Sequence, residues 1–156
     1  MSQNYGKAFE QQFKSDFQKI PNASIDRIYD VMSGYKSISN ISDYICYVYP
    51  NIYYVEVKSI KGASFPLHNL TQYQKLKFKV GIKGVRVGVV IWYWEKDRVV
   101  YVPISSVTRM LKDGRKSISL KALDNGEYEY QEIPSVKKRL FMTSDYSVLL
   151  NLQDGM

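Results

Sequence analysis

The run VRVGVVIWYW at positions 85–94 constrains the fold more than any other stretch of the chain. Its β-branched and aromatic residues suit a strand, and apolar side chains at consecutive positions suit a strand buried on both faces of a sheet. Such a strand needs cover on either side, and helical segments lie before and after it. KAFEQQFKSDFQK (7–19) sets Phe9, Phe13 and Phe17 at i, i+4 and i+8, one aromatic stripe on an amphipathic helix that Pro21-Asn22 ends. TQYQKLKFKVG (71–81) reads as a helix closed by Gly81, and SSVTRMLKDG (105–114) as a short helix with a Ser cap and a Gly stop. Strand patterns fall at SIDRIYDV (24–31) and RVVYVPI (98–104), with a polar loop around Ser33-Gly34-Tyr35-Lys36. From 115 onward the pattern is mixed, with a polar turn at Asp124-Asn125-Gly126 and a basic cluster at Lys137-Lys138-Arg139. The order predicts an α/β fold, a mixed β-sheet flanked by helices. No repeat or linker divides the 156 residues, so one domain over 1–156 is expected.

Composition excludes some classes. No apolar run approaches the roughly 18 to 20 residues that a membrane helix needs, and the first residues lack the apolar centre of a signal peptide. A single cysteine excludes an internal disulfide framework and predicts a reducing compartment, the cytoplasm. Cys46 alternates with Tyr44 and Val48 and reads as a core residue, while His68, the one histidine, reads as a surface residue beside a turn. The formal net charge of +7 fits a polyanionic partner, nucleic acid first and anionic lipid second. Tyr53, Tyr54, Trp92 and Trp94 are expected to pack the sheet rather than to stack on bases.

SDYICYVYPNIYYVEVK (42–58) reads as two strands around a turn, yet it carries three charges. With Pro50-Asn51 at the centre of the turn, Asp43 lies opposite Lys58, and Ile45 opposite Glu56. Alternation then projects Asp43, Glu56 and Lys58 from one face, and Val55 and Val57 from the other into the core. Two carboxylates and an ammonium on one patch suit Mg²⁺, which is usually held by one or two carboxylates and the substrate's phosphate. Lys58 could then orient an attacking water and offset charge on the phosphate. The competing reading is an exposed cross-strand salt bridge of Asp43 with Lys58, worth under about 1 kcal/mol, which leaves Glu56 unexplained. Geometry leaves both open.

Asp43 followed by Glu56-Val57-Lys58 resembles the D-x(n)-E-x-K core of the PD-(D/E)xK nuclease superfamily. Ser64-Phe65-Pro66-Leu67-His68-Asn69-Leu70, with Gln74 on the next helix, resembles the SFPL-x-N-(F/L)…Q signature of RecU-type Holliday junction resolvases, in the same order and at similar spacing. Asn4-Tyr5-Gly6 with Glu10 is similar to that family's N-R-G…E start, with Tyr5 in place of Arg. Ile133-Pro134 through Arg139, then Asp145-Tyr146, is similar to its basic C-terminal region. Ser42 stands where the family tends to have Thr, and the stalk that precedes the Asp is short here, a stalk-like loop at about 31–41. A compact, perhaps phage-encoded, relative would fit.

The resemblance implies a restriction-endonuclease-like sheet and an endonuclease that cuts four-way DNA by Mg²⁺- or Mn²⁺-dependent hydrolysis. Asp43 and Glu56, with the Val57 carbonyl, would ligate the metal, and Lys58 would act on the nucleophilic water. Gln74 would help position Lys58 or water, and Glu10 would reach the metal region from the first helix. Arg27, Lys36, Lys61, Lys75, Lys77 and Lys79 are the basic residues nearest in sequence and the candidates for DNA phosphate contact. Symmetric incision of two strands implies a C2 homodimer, working in the cytoplasm, of the host if phage-encoded. Two alternatives stand beside this: another nuclease on the same core (restriction-like, repair or nicking), and a DNA-binding or scaffold protein without catalysis.

Overall fold

In the computed structural model, which describes residues 4–29, 31–33, 36–38 and 40–156 (only the backbone in 31–33 and 36–38), the phenylalanine stripe becomes helix α1, Tyr5–Phe17. Asn4 caps it, its side-chain oxygen accepting the N–H of Lys7 at 3.0 Å. The chain continues through β1 (Ser24–Arg27), β2 (Val31–Ser33), β3 (Lys36–Ile38), β4 (Tyr44–Val48), β5 (Asn51–Ile60) and β6 (Ser64–Pro66). A 3₁₀ turn at Leu67–Asn69 leads to α2 (Tyr73–Lys77), β7 (Val85–Tyr93), β8 (Arg98–Pro103) and α3 (Ile104–Lys112). Then follow β9 (Ser117–Ser119), α4 (Leu120–Asp124), β10 (Gln131–Ile133), β11 (Ser135–Lys138), β12 (Phe141–Ser144) and a 3₁₀ segment at Tyr146–Asn151.

Six strands form the main sheet in the order β1-β4-β5-β7-β8-β10. Only β5 and β7 run parallel, from Ile52 against Val85 to Ile60 against Tyr93; every other neighbouring pair is antiparallel. Val85–Tyr93 is the interior strand that its apolar run predicts, buried from Val87 onward. Alternation sends Val90 and Trp92 to one face, where Phe9, Phe13 and Phe17 of α1 cover them together with Val55 and Val57 of β5. Val89 and Ile91 go to the other, against Leu76 of α2, Val107 and Met110 of α3, and Phe65 and Leu67. The SFPL stretch therefore packs: Phe65 and Leu67 are buried, and β6 pairs with β9. Cys46 is buried and His68 exposed, as expected.

Four expectations are corrected. The strand over 24–31 ends at Arg27, and the polar loop that follows holds an antiparallel ribbon, Val31 against Ile38 to Ser33 against Lys36. Two short strands can pair there because backbone hydrogen bonds close on each other locally. The helix over 71–81 is confined to Tyr73–Lys77, since Phe78, Val80 and Ile82 are exposed and no apolar face continues it. The mixed tail builds four strands and two helical segments. Finally, the hairpin turns on Tyr49-Pro50, one residue earlier than Pro50-Asn51, with Pro50 in third place after a cis bond rather than in second.

Candidate active site

The earlier turn shifts the β4–β5 register by two residues. Tyr44 pairs with Val55, so Asp43, just ahead of β4, faces Glu56 rather than Lys58. A shift of two preserves the faces, so Asp43, Glu56 and Lys58 still share one and Val55 and Val57 still enter the core.

Asp43 is fixed at both oxygens. Oδ2 accepts the backbone N–H of Val57 at 2.9 Å, and Oδ1 lies 3.1 Å from the Arg27 guanidinium. Its own carbonyl accepts the N–H of Ile28 at 2.9 Å, anchoring the residue to the end of β1. Preceding it, the buried Ser42 hydroxyl donates to the carbonyl of Tyr44 at 2.8 Å, so the hydroxyl at this position braces the strand start.

Arg27 also reaches Glu10 on α1, 3.5 Å from Oε2, and lies over the rings of Tyr29 and Tyr44. Burial works against its charge, but Glu10 and Asp43 outweigh that and hold the guanidinium above its ordinary pKa. Glu10, one position past the Phe9 of the buried stripe, is half-buried, and its carbonyl accepts the Tyr44 hydroxyl at 3.0 Å. Burial raises the Glu10 carboxyl, Arg27 pulls it down, Asp43 raises it and Lys58 lowers it, and the net direction is up. Tyr44 itself is pushed up to about 12, chiefly by burial.

Glu56 is the outlier. It is 1% exposed, its Oε2 lies 3.5 Å from Lys58 Nζ, and its Oε1 has no hydrogen-bond partner among the described residues. Burial and then the facing Asp43 push its carboxyl up to about 8, against the pull of Lys58. A buried carboxylate with an orphaned oxygen beside a second carboxylate is an oxygen donor set that suits a hard divalent cation. Among the described residues no three acidic, histidine or cysteine side chains converge into a cage, so protein ligands would come from Asp43 and Glu56.

The structure thus brings Asp43, Glu56, Lys58, Val57 and Glu10 together and adds Arg27 to them. Sequence proximity had put Arg27 among the DNA contacts; here it is paired inside the carboxylate cluster, a placement legible only once β1 is known to pair with β4. Gln74 lies apart: it is exposed on α2 and lines a cleft of about 480 Å³ with His68 and Arg115, and no described hydrogen bond joins it to Lys58. Lys61, Lys75 and Lys77 are exposed, and Lys79 lies 5.6 Å over the Tyr54 ring, on the face of β5 that carries Glu56. The side chain of Lys36 lies outside the described residues.

No family model matches the chain, and no curated protein sequence does. Among solved structures, the chain is similar to Hjc of Archaeoglobus fulgidus, a Holliday junction resolvase from an archaeal hyperthermophile, at a TM-score of 0.56 and 16% identity over 77% of this chain and 93% of that one. At that identity the likeness concerns architecture, and the architecture is the restriction-endonuclease-like mixed sheet flanked by helices.

Proposed function

We propose that this chain is a divalent-metal-dependent endodeoxyribonuclease of the RecU type that resolves four-way DNA junctions by paired phosphodiester hydrolysis. The observation that carries the reading is Glu56: a buried, half-unpartnered carboxylate facing Asp43, with Lys58 at 3.5 Å, in the order D…E-x-K. The shared fold with a resolvase supports a nuclease at the coarser level.

Asp43 and Glu56, with the Val57 carbonyl, would hold Mg²⁺ or Mn²⁺. The bound ion supplies Lewis acidity toward the phosphodiester and lowers the pKa of its water. Val57 N–H fixes one oxygen of the Asp43 carboxylate, and Arg27 balances its charge at the other until a cation takes its place. Lys58 donates toward the attacking water and offsets charge gathering on the phosphate. Glu10 acts through Arg27, as a positioning residue. Gln74 lies outside this cluster and enters the reading as an approach-side residue. Lys36, Lys61, Lys75, Lys77 and Lys79 supply phosphate contacts. A C2 homodimer sets two such sites on opposed strands, and the working compartment is the cytoplasm. Among the described residues no helix is long and apolar enough to cross a membrane.

The test is cleavage of labelled four-way junction, linear duplex and flap DNA with Mg²⁺, Mn²⁺ or EDTA, wild type beside Asp43→Asn. Paired nicks on the junction, lost with EDTA and with the substitution, support the reading. The short ribbon at β2–β3 favours one second reading, a nuclease of the same core with another DNA target. Cleavage of flaps or duplex in preference to the junction would establish that instead. Tight DNA binding with no cleavage of any substrate would sink both.

A further inference from the structure

Lys58 lies two residues from the end of β5, and beyond that end the structure carries a feature that the catalytic cluster does not use. The parallel register sets Ser59 beside Trp92 and Ile60 beside Tyr93, and the N–H of Trp94 donates to the carbonyl of Ile60 at 3.1 Å. A Cβ at Gly6 would lie 3.6 Å from Ser59 Oγ, so the first turn of α1 sits on the same end of the sheet. There Tyr5 stacks on Trp94, centroids 4.2 Å apart and planes 9° from parallel, and meets Trp92 edge-on at 5.7 Å.

The β11–β12 ribbon closes the other side. A cleft of about 390 Å³ lies between them, walled by Tyr5, Trp92, Trp94, Arg139, Leu140 and Phe141, within the roughly 300–1,000 Å³ of small-ligand clefts. Two properties of this cleft point the same way. The ribbon tip is apolar yet open to solvent, with Leu140 67% and Phe141 41% exposed. The tip is also basic: Lys138 and Arg139 are in no described ion pair, whereas Lys137 is paired with Asp97 at 3.2 Å and Glu95 is the remaining acidic wall.

We infer that this cleft is a slot for one unpaired nucleobase of the DNA, stacked between the Tyr5–Trp94 pair and the Leu140–Phe141 tip, with the adjoining phosphate on Arg139. A nucleotide supplies what the open walls lack: a flat π-face for the aromatic side chains and an anionic phosphate for the guanidinium. The ligand class rests on the nuclease reading above. The slot opens on the Val57 face of the sheet, across from Lys58 and at the same end of β5, and would hold a nucleotide displaced from pairing outside the catalytic cluster, so that DNA with unpaired nucleotides is favoured over continuous duplex.

The two tryptophans of the chain both line the slot, so intrinsic fluorescence reads its occupancy. The full-length protein in EDTA is titrated with oligo(dT), duplex and gapped duplex, and Kd values for Trp94→Ala, Trp94→Phe and Leu140→Glu are taken from the anisotropy of labelled DNA. Oligo(dT) should quench saturably, and stacking of roughly 1–3 kcal/mol per base predicts a loss of about tenfold or more for Trp94→Ala on oligo(dT) and gapped duplex. Duplex affinity should stay within about twofold, and Trp94→Phe should retain binding. Leu140→Glu, exposed and so harmless to folding, should show the same selective loss. No quenching, wild-type affinity in Trp94→Ala and Leu140→Glu, or an equal loss on all three DNAs would overturn the slot. Since EDTA removes cleavage from the measurement, a slot that fails while junction cutting persists, and cutting that fails while the slot fills, are separate results.

Discussion

Replacing Glu56 by Gln should stabilise the protein in alkaline solution and do nothing of the kind in acid. The carboxyl is raised from an ordinary 4.5 to about 8, first by burial and then by Asp43. Between those two values the unfolded chain has released the proton and the folded chain still holds it, so wild-type stability is greatest below 4.5 and falls as the pH rises toward 8. At 1.36 kcal/mol per unit the rise sets a ceiling of about 5 kcal/mol. The amide removes the titration but still buries a polar group without a partner, at about 1–3 kcal/mol, which leaves a gain on the order of 2 kcal/mol at pH 8. For a chain of this size that is ~4–8 °C in Tm. The assay is thermal melting in EDTA at intervals from pH 5 to pH 8.5, then at pH 8 with Mg²⁺ or Mn²⁺ added. Wild type should lose stability with pH and regain it with the cation, because a ligand that binds only the native state shifts the equilibrium toward it. Glu56→Gln should do neither. Parallel pH profiles for the two proteins would mean that Glu56 titrates as an ordinary carboxyl, and the electrostatic account of the site would fall with it.

Arg27→Gln leaves Asp43 and Glu10 without their shared cation; Mn²⁺ affinity by calorimetry should then rise ~10-fold, the scale of one unit charge acting on a divalent ion at about 5 Å in water-like dielectric. Unchanged or weaker binding would show that Arg27 does not compete with a cation for Asp43. Phe13→Ala removes a fully buried ring that meets Tyr44 and Tyr146 at 5.2 and 4.8 Å, and urea unfolding should report a loss of about 3–5 kcal/mol; a loss under about 1 kcal/mol would place α1 outside the cooperative core. Gly88→Ala would set a Cβ 2.4 Å from the Tyr101 ring, which is itself fully buried with its hydroxyl donating to the Met156 carbonyl at 2.8 Å. Overpacking of that kind costs about 1–3 kcal/mol, and the same unfolding assay checks it, an unchanged midpoint being the refuting result.

What could be read from the sequence followed the range over which its causes act. The α1 stripe, the burial of 87–93 and the common face of Asp43, Glu56 and Lys58 are set by side-chain period alone, and all three stand. The face survived a misplaced turn because moving the centre by one residue shifts the register by two, and period 2 is blind to that. The partner of Asp43 was not legible, since it depended on which of Tyr49, Pro50 and Asn51 turns the chain. Arg27 illustrates the other limit. Nothing local marks it as a companion of Glu10 and Asp43; only the β1–β4 pairing brings it to Asp43, sixteen residues along the chain. The short strands β9 to β12 were invisible for a similar reason, each being three or four residues whose pairing partner, not whose composition, makes it a strand.

The charges of the cluster explain why one carboxyl bears the strain of the site. Among the described residues, Glu10, Asp43 and Glu56 meet only two cations, Arg27 and Lys58. Arg27 divides itself between Glu10 and Asp43, at 3.5 and 3.1 Å. Lys58, nearly a third exposed at its side chain, is left to offset Glu56 from 3.5 Å, too far and too wet to outweigh burial. The imbalance therefore collects on Glu56, the group with least water and an oxygen to spare. A proton can settle it, and so can a divalent cation; an approaching DNA phosphate, being one more negative charge, favours the cation. On that account the proton on Glu56 is the occupant that a metal must displace. Raising the pH toward 8 should then strengthen metal binding by removing a competitor, even as it weakens the metal-free fold.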